Sequence, residues 1–226
     1  MVQAVAVSLT KSAVQLDRKV QLDGTETDSI PFSYLVLATG TKLTPPSNML
    51  GSEKLDGVSY LRKHAEKLRD SNQLVVIGGG AVGVQLAIDA KELYPGKSVT
   101  LIHSRPQVMN RFHPKLHRLI EERCAELGIK LVLGARVKLP ANGYPTDGST
   151  FDVDLQNGDR VASDFAVICT GQTPQSQILE SLSAKTINPQ KFIRVKKTLQ
   201  IDDEEHLNVF ALGDIAATAA HKAARP

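Results

Sequence analysis

The sequence predicts an α/β fold with a parallel sheet at its centre, and three observations predict it. An apolar run, Gln73-Leu-Val-Val-Ile77, leads into Gly78-Gly-Gly-Ala-Val-Gly83, a helical stretch to Tyr94, the stop Pro95-Gly96 and a second apolar run, Ser98-Val-Thr-Leu-Ile102. That order is strand, glycine turn, helix, strand, and a helix between two strands is the crossover that parallel pairing requires. Two further runs, Tyr34–Gly40 and Phe165–Gly171, end in Thr-Gly, and a third, Val209–Asp214, ends in Gly-Asp. Continuous apolar runs of this length are what strands buried on both faces look like. Finally, the Tyr34 and Phe165 runs can be laid over each other, each behind a hairpin pattern, which points to a duplicated Rossmann-like architecture.

The elements follow in order. Apolar residues alternate at Val5, Val7 and Leu9 and again at Val14 and Leu16, predicting short antiparallel strands that lead to Val20-Gln-Leu22 and a turn at Asp23-Gly24. Thr44-Pro-Pro46 marks a break, and Tyr60 to Arg69 has the spacing of a lead-in helix. Beyond Ile102, Pro114 can open a helix in which Leu116, Leu119, Ile120, Arg123, Cys124 and Leu127 follow at three- and four-residue steps and whose stop is Gly128. Ile129–Leu133 reads as a strand, and a Gly/Pro-rich loop runs to Gly148. Phe151–Leu155 alternates, and Asn157-Gly158 predicts a two-residue hairpin turn before the return strand at Val161. The expected division is residues 1–57, 58–185 and 186–226, the middle segment being one complete dinucleotide-binding domain and the outer two the parts of a second.

With 226 residues, 42% hydrophobic and 23% charged, the chain has the composition of a soluble globular protein. A net charge of +3 without a basic cluster argues against nucleic-acid binding. No stretch reaches the roughly 18 apolar residues of a membrane span, and the opening Val2–Val7 has no basic lead, so the expected location is the cytosol. Cys124 and Cys169 are too far apart in sequence for a Cys-x-x-Cys pair and read as packing residues, which disfavours disulfide reduction.

Gly78, Gly80 and Gly83 sit in the context that a dinucleotide fingerprint needs, between a strand and a helix with a second strand ending about 20 residues on. Gly78 would permit the tight turn, Gly80 the approach of a pyrophosphate and Gly83 the packing of helix on strand, while the helix N-terminus supplies N–H groups to the phosphates. An NAD-selective site places Asp or Glu at the end of the second strand; here His103-Ser104-Arg105 stands there. Arg and Ser suit a 2′-phosphate, so NADPH is expected to bind alongside NADH, the alternative being that Arg105 only faces solvent. Asp214, at the end of an apolar run, reads as a hydrogen-bond acceptor for a ligand hydroxyl or as the cap of a helix starting near Ile215. His113 and His117, four apart on a helix, read as a solvent face and not as metal ligands. No metal site and no hydrolase or kinase motif is present.

On Ala38-Thr-Gly40, the Gly78–Gly83 turn, Tyr94-Pro95, Val99-Thr-Leu-Ile-His-Ser104, Cys169-Thr-Gly171 and Ala211-Leu-Gly-Asp214, the sequence resembles the apoptosis-inducing-factor-like, mitochondrion-associated (ferroptosis suppressor protein) family of FAD-dependent pyridine nucleotide oxidoreductases. The resemblance implies a two-dinucleotide-binding flavoprotein fold and hydride transfer from NAD(P)H to FAD and on to a quinone or similar acceptor, with no acid, base or nucleophile as a catalytic residue. It implies that Thr39, Gly40, Asp214 and Lys222 lie at FAD, and that Gly78, Gly80, Gly83, Gln85, His103, Ser104, Arg105 and Gly171 frame NAD(P)H. Gln85 departs from the family, which has Glu there. It also implies a location peripheral to a membrane or mitochondrial surface. The family's FAD fingerprint would precede residue 1, so the expectation is a complete NAD(P) domain and a partial FAD domain. NAD(P) binding is then weak, FAD retention poor and self-association favoured through exposed apolar edges. The alternatives are a non-catalytic NAD(P)-binding module and another two-dinucleotide reductase.

Overall fold

A computed structural model describes residues 1–48, 51 and 53–218. In chain order, β1 (Ala6–Leu9), β2 (Ala13–Leu22) and β3 (Thr25–Pro31) form an antiparallel sheet in that order. Asp23 and Gly24 make the turn between β2 and β3 with φ of 48° and 81°, the geometry whose twist suits a two-residue hairpin. β4 (Leu35–Leu37) and β5 (Thr41–Leu43) follow, then α1 (Lys54–Asp70). This helix starts earlier than the predicted Tyr60 because its first turn buries only Gly57 and so carries no apolar period to read.

The central elements are β6 (Gln73–Ile77), α2 (Ala81–Leu93), β7 (Ser98–His103), α3 (Pro114–Leu127) and β8 (Lys130–Leu133). Pro114 occupies the first turn of α3 and Gly128 ends it, as the sequence predicts. β9 (Phe151–Asp154) and β10 (Arg160–Ser163) form a hairpin, and β11 (Phe165–Ile168), β12 (Gln172–Pro174), α4 (Glu180–Ser183) and β13 (Val209–Ala211) complete the chain. The β9–β10 connection is not the expected two-residue turn. Leu155 N–H donates to the Asp159 carbonyl and Gly158 N–H to the Leu155 carbonyl, closing a loop in which Gly158 alone has positive φ. Asn157 instead spends its side chain on Asp159, accepting from its N–H and donating to its carboxylate, which selects the three-residue loop with one left-handed glycine.

Packing divides the chain into two units, Met1–Lys42 with Gln172–Pro226, and Leu43–Gly171. The second unit is built on a parallel sheet in the order β11-β6-β7-β8. Because side chains alternate along a strand, Leu74 and Val76 of β6 face the layer of α2 and α3, with Val99, Leu101, Ile120 and Cys124. Val75 and Ile77 face the opposite layer, where Val153 and Leu155 of the hairpin region cover them. Both faces are therefore buried, and this is why β6 reads as an unbroken apolar run.

In the first unit β4 and β13 pair in parallel, Leu35 to Val209 and Leu37 to Ala211. Leu9, Leu37, Leu179, Ile193, Ile201, Val209, Ala211 and Ile215 make its core. A polar network is buried beside it: Asp203 accepts from Ser183 Oγ at 2.6 Å, from Lys185 Nζ at 2.9 Å and from the Glu205 N–H at 3.1 Å. Burial alone would raise the Asp203 carboxyl, but Lys185, Ser183 and the Glu205 N–H together hold it well below the usual carboxylate range.

Candidate functional site

Three neighbouring strands of the second unit end together. β11, β6 and β7 are in register at Ile168, Ile77 and Ile102, so Cys169–Gly171, Gly78–Gly80 and His103–Arg105 all leave the same carboxyl edge. Cys169 N–H donates to the Ile77 carbonyl and Gly78 N–H to the Ile102 carbonyl, each at 2.8 Å, extending the pairing one residue past the strands. The chain runs from β6 through α2 to β7 on one side, while β11 lies on the other, so the glycine turn stands where the strand order reverses. Open α/β sheets bind ligands in the crevice at such a point.

The glycines of the turn have separable roles. A Cβ at Gly83 would lie 1.8 Å from the Gly78 carbonyl oxygen, and one at Gly78, whose φ is 122°, would lie 2.7 Å from the Cys169 carbonyl oxygen. Those two are required by the protein's own packing. Gly80 is different: its φ of −81° and ψ of −175° suit any residue, and a Cβ there meets nothing within 4 Å. Its exposed face is open toward solvent, where a ligand backed by the turn would lie. Gly80 is also the N-cap of α2, with no side-chain cap bond and no acidic residue in the first turn. The first N–H groups of α2, which have no intrahelical acceptors, and the positive end of its dipole therefore remain available to an anion.

Around the turn, Ser104, Arg105, Thr170 and Gly171 are exposed and His103 is half-buried. His103 does more than line the edge: its Nδ1 accepts the Gly79 N–H at 3.0 Å. Sequence reasoning missed that contact and missed Gly79, whose Cβ would lie 2.7 Å from Val108 and 2.8 Å from the His103 ring. Gln85 is exposed one turn into α2. Cys169 packs beneath the turn, 3.2 Å from the Cβ position at Gly83, and burial pushes its thiol up to about 11. Burial also raises Cys124, and both thiols are free.

In the first unit, Ala38–Gly40 and Leu212–Asp214 leave the carboxyl ends of the paired strands β4 and β13, joined by the Leu212 N–H donating to the Leu37 carbonyl. Gly40 and Gly213 turn there with φ of 64° and 69°, and neither would have a neighbour within 4 Å of an added Cβ. Thr39 Oγ1 donates to the Gln175 carbonyl at 2.8 Å, and Gln175 Nε2 returns a bond to the Thr39 carbonyl. Of the two readings of Asp214, the helix cap is the one the structure corrects. Gly213 swings the chain out of the sheet, so the carboxylate is exposed inside the short 3-10 turn Gly213–Ile215, and the cap position belongs to Leu212. Lys222 lies outside the described residues.

Of the paired histidines, His117 differs from its expectation. His113 is exposed and caps α3 by accepting the Lys115 N–H, but His117 is buried with its Nε2 3.3 Å from Glu121. A three-residue step from His117 to Ile120 puts the ring on the core side of the helix, which the four-residue step from His113 conceals. Among the described residues no group of three or more His, Cys, Asp or Glu is placed to hold a metal ion, and no helix is long and apolar enough to cross a membrane.

The model of the pyridine nucleotide-disulphide oxidoreductase family matches residues 1–225. The chain belongs to this family. Fe-regulated protein 8 of Mycosarcoma maydis is 35% identical over 195 residues, covering 82% of this chain and 47% of its own. The FAD-dependent oxidoreductase FVFD30 of Flammulina velutipes is 31% identical over 215 residues, 95% of this chain and 63% of its own. Ferroptosis suppressor protein 1 of Mus musculus is 32% identical over 215 residues, 92% of this chain and 56% of its own. The chain thus spans between about half and under two thirds of these relatives. Among solved structures, a ferredoxin reductase from Rhodopseudomonas palustris matches with a TM-score of 0.69 at 25% identity, over 94% of this chain and 50% of that one. The family-level expectation and the α/β flavoprotein-reductase fold are thereby borne out.

Proposed function

We propose that the chain serves an FAD-dependent NAD(P)H oxidoreductase, its second unit binding NAD(P)H and its first contributing to the hold on FAD. The observation that carries this is the convergence of three strand ends on a glycine turn whose Gly80 face is open while Gly78 and Gly83 are closed by the protein itself. That arrangement fits a pyrophosphate, with the N-terminus of α2 behind it and Ser104 and Arg105 at the end of β7 for the ribose or its 2′-phosphate. Gly171 and Gln85 complete the frame. In the first unit, the paired carboxyl ends of β4 and β13, with open glycines at 40 and 213 and the exposed Asp214, fit one edge of a flavin site together with Thr39.

Bound flavin supplies the hydride acceptor. The chain's own residues bind, orient and exclude water, and none acts as acid, base or nucleophile in the proposed transfer. The names of two relatives, FAD-dependent oxidoreductase and ferroptosis suppressor protein 1, support a flavin enzyme passing electrons to a quinone or similar acceptor. A position at a membrane or mitochondrial surface belongs to the same reading.

The test is a visible absorbance spectrum of the purified chain after incubation with FAD and desalting, followed by anaerobic NADPH. A retained flavin band that bleaches supports a reductase. A colourless protein that still binds NADPH supports the alternative, a nucleotide-binding module without flavin.

A further inference from the structure

We propose that His103 is a positioning residue of the nucleotide site, whose neutral imidazole holds the glycine turn and the Ser104-Arg105 segment in one arrangement through the Gly79 N–H. The proposal rests on the reading of the second unit as an NAD(P)H site and adds to it a residue that acts through the turn, without itself reading the ribose.

At the end of β7 a dinucleotide fold commonly places a carboxylate that reaches outward to the ribose. Here the side chain reaches back. His103 Nδ1 accepts from Gly79 N–H at 3.0 Å, and the ring sits where a side chain at Gly79 would have to stand, with Cγ 2.8 Å from that position. The carbonyl of Gly79 is also engaged, by the Met109 N–H at 2.8 Å. Both backbone groups of Gly79 are therefore fastened, the N–H to His103 at the end of β7 and the carbonyl to Met109 in the segment after it. Val108 is fully buried against the same glycine. Arg105 is carried on a loop pinned at both ends to the turn it serves, and Gly80 and then α2 follow directly after the pinned Gly79.

An acceptor on Nδ1 requires that nitrogen to be unprotonated, which places the proton of the neutral ring on Nε2. Nε2 is buried with no partner at standard hydrogen-bond geometry. A second proton on the ring would set two donors against each other at Gly79. Burial is the largest influence on the ring and lowers its pKa; Asn110, next in size, raises it, the charge of Arg105 lowers it further, and the Gln107 backbone raises it, the net direction being downward. The facing first turn of α2 has no acidic side chain to favour the imidazolium. The folded pKa therefore lies below the ordinary value of about 6.5, so the arrangement is intact at neutral pH and is lost as pH falls through that depressed value.

The experiment is NADH and NADPH titration of the full chain between about pH 5.5 and about pH 8, on the wild type, His103→Phe and His103→Asn, with circular dichroism as the folding control. NADH matters because it lacks the 2′-phosphate, which titrates in the same range. Phe keeps a ring without the acceptor; it is expected to weaken NADH about five- to tenfold at neutral pH, the loss of one net hydrogen bond. Asn puts Oδ1 where Nδ1 stood and cannot be protonated, so it recovers most of that loss and flattens the acid limb seen in the wild type. Wild-type-like binding by folded His103→Phe, or an unchanged acid limb in His103→Asn, overturns the proposal. Nitrogen-15 NMR of the free chain gives a readout independent of binding: an unprotonated Nδ1 coupled to the Gly79 amide is expected, and a protonated Nδ1 at neutral pH overturns it. If the wild type binds neither nucleotide, the functional reading fails, and the tautomer still decides the contact.

Discussion

Replacing Gly80 with Ala separates what the turn does for the protein from what it does for a ligand. The added methyl meets nothing within 4 Å, and the backbone at φ −81° is one that alanine adopts freely. Loss of unfolded-state entropy favours the variant by about 0.4–1 kcal/mol, while alanine is a poorer N-cap than glycine by an amount of the same order. Stability should thus stay within about 1 kcal/mol, a shift of about 2–4 °C in Tm for a chain of this length. Gly83→Ala is the contrast: its methyl would stand 1.8 Å from the Gly78 oxygen in a buried contact, so the helix must move, at about 1–3 kcal/mol or more. Gly96→Ala, also open at its Cβ position and at the far end of α2 from the turn, is the control. NADH affinity measured by calorimetry, with thermal melts beside it, should fall at least about tenfold in Gly80→Ala, equivalent to about 1.4 kcal/mol, and not change in Gly96→Ala. If folded Gly80→Ala binds NADH as tightly as the wild type, a pyrophosphate does not lie on that face and the argument for the site is wrong.

Arg105→Ala should cost NADPH more affinity than NADH, by about tenfold in the ratio if the guanidinium meets the 2′-phosphate; equal losses in a parallel titration remove that role. Asp203→Asn should destabilise the first unit by about 1.5–3 kcal/mol, the range for hydrogen bonds to a charged group. Because the folded carboxyl titrates below its unfolded value, its contribution is complete above the unfolded pKa of about 3.9 and disappears as pH falls toward the depressed folded one. Urea melts across the acid range should accordingly show a steeper acid loss in the wild type than in Asp203→Asn. Both thiols should resist alkylation at neutral pH, Cys169 because burial pushes it up to about 11, and react only on unfolding; rapid labelling of the native chain, read by mass spectrometry, contradicts their burial.

The run Leu74–Ile77, the glycines that follow it, Pro114 and Gly128 are local signals, because apolar period, turn geometry and helix stops are properties of a few consecutive residues. Asn157-Gly158 was half legible: the sequence placed the turn, but Asn157 bonding Asp159 chose a loop one residue longer.

The sequence by itself determined the α/β class, the strand-turn-helix-strand order and the residues at the ends of the strands. Only the tertiary structure decided that β11 lies beside β6, which brings Gly171 to the glycine turn. It also decided that the His103 ring bonds Gly79 while Asp214 is exposed, that His117 is buried, and that Asp203 takes bonds from Ser183, Lys185 and the Glu205 N–H. The physical reason is the same in each case. A polar side chain has no preferred partner in its own stretch of sequence, and its burial or bonding is settled by groups that folding brings from elsewhere.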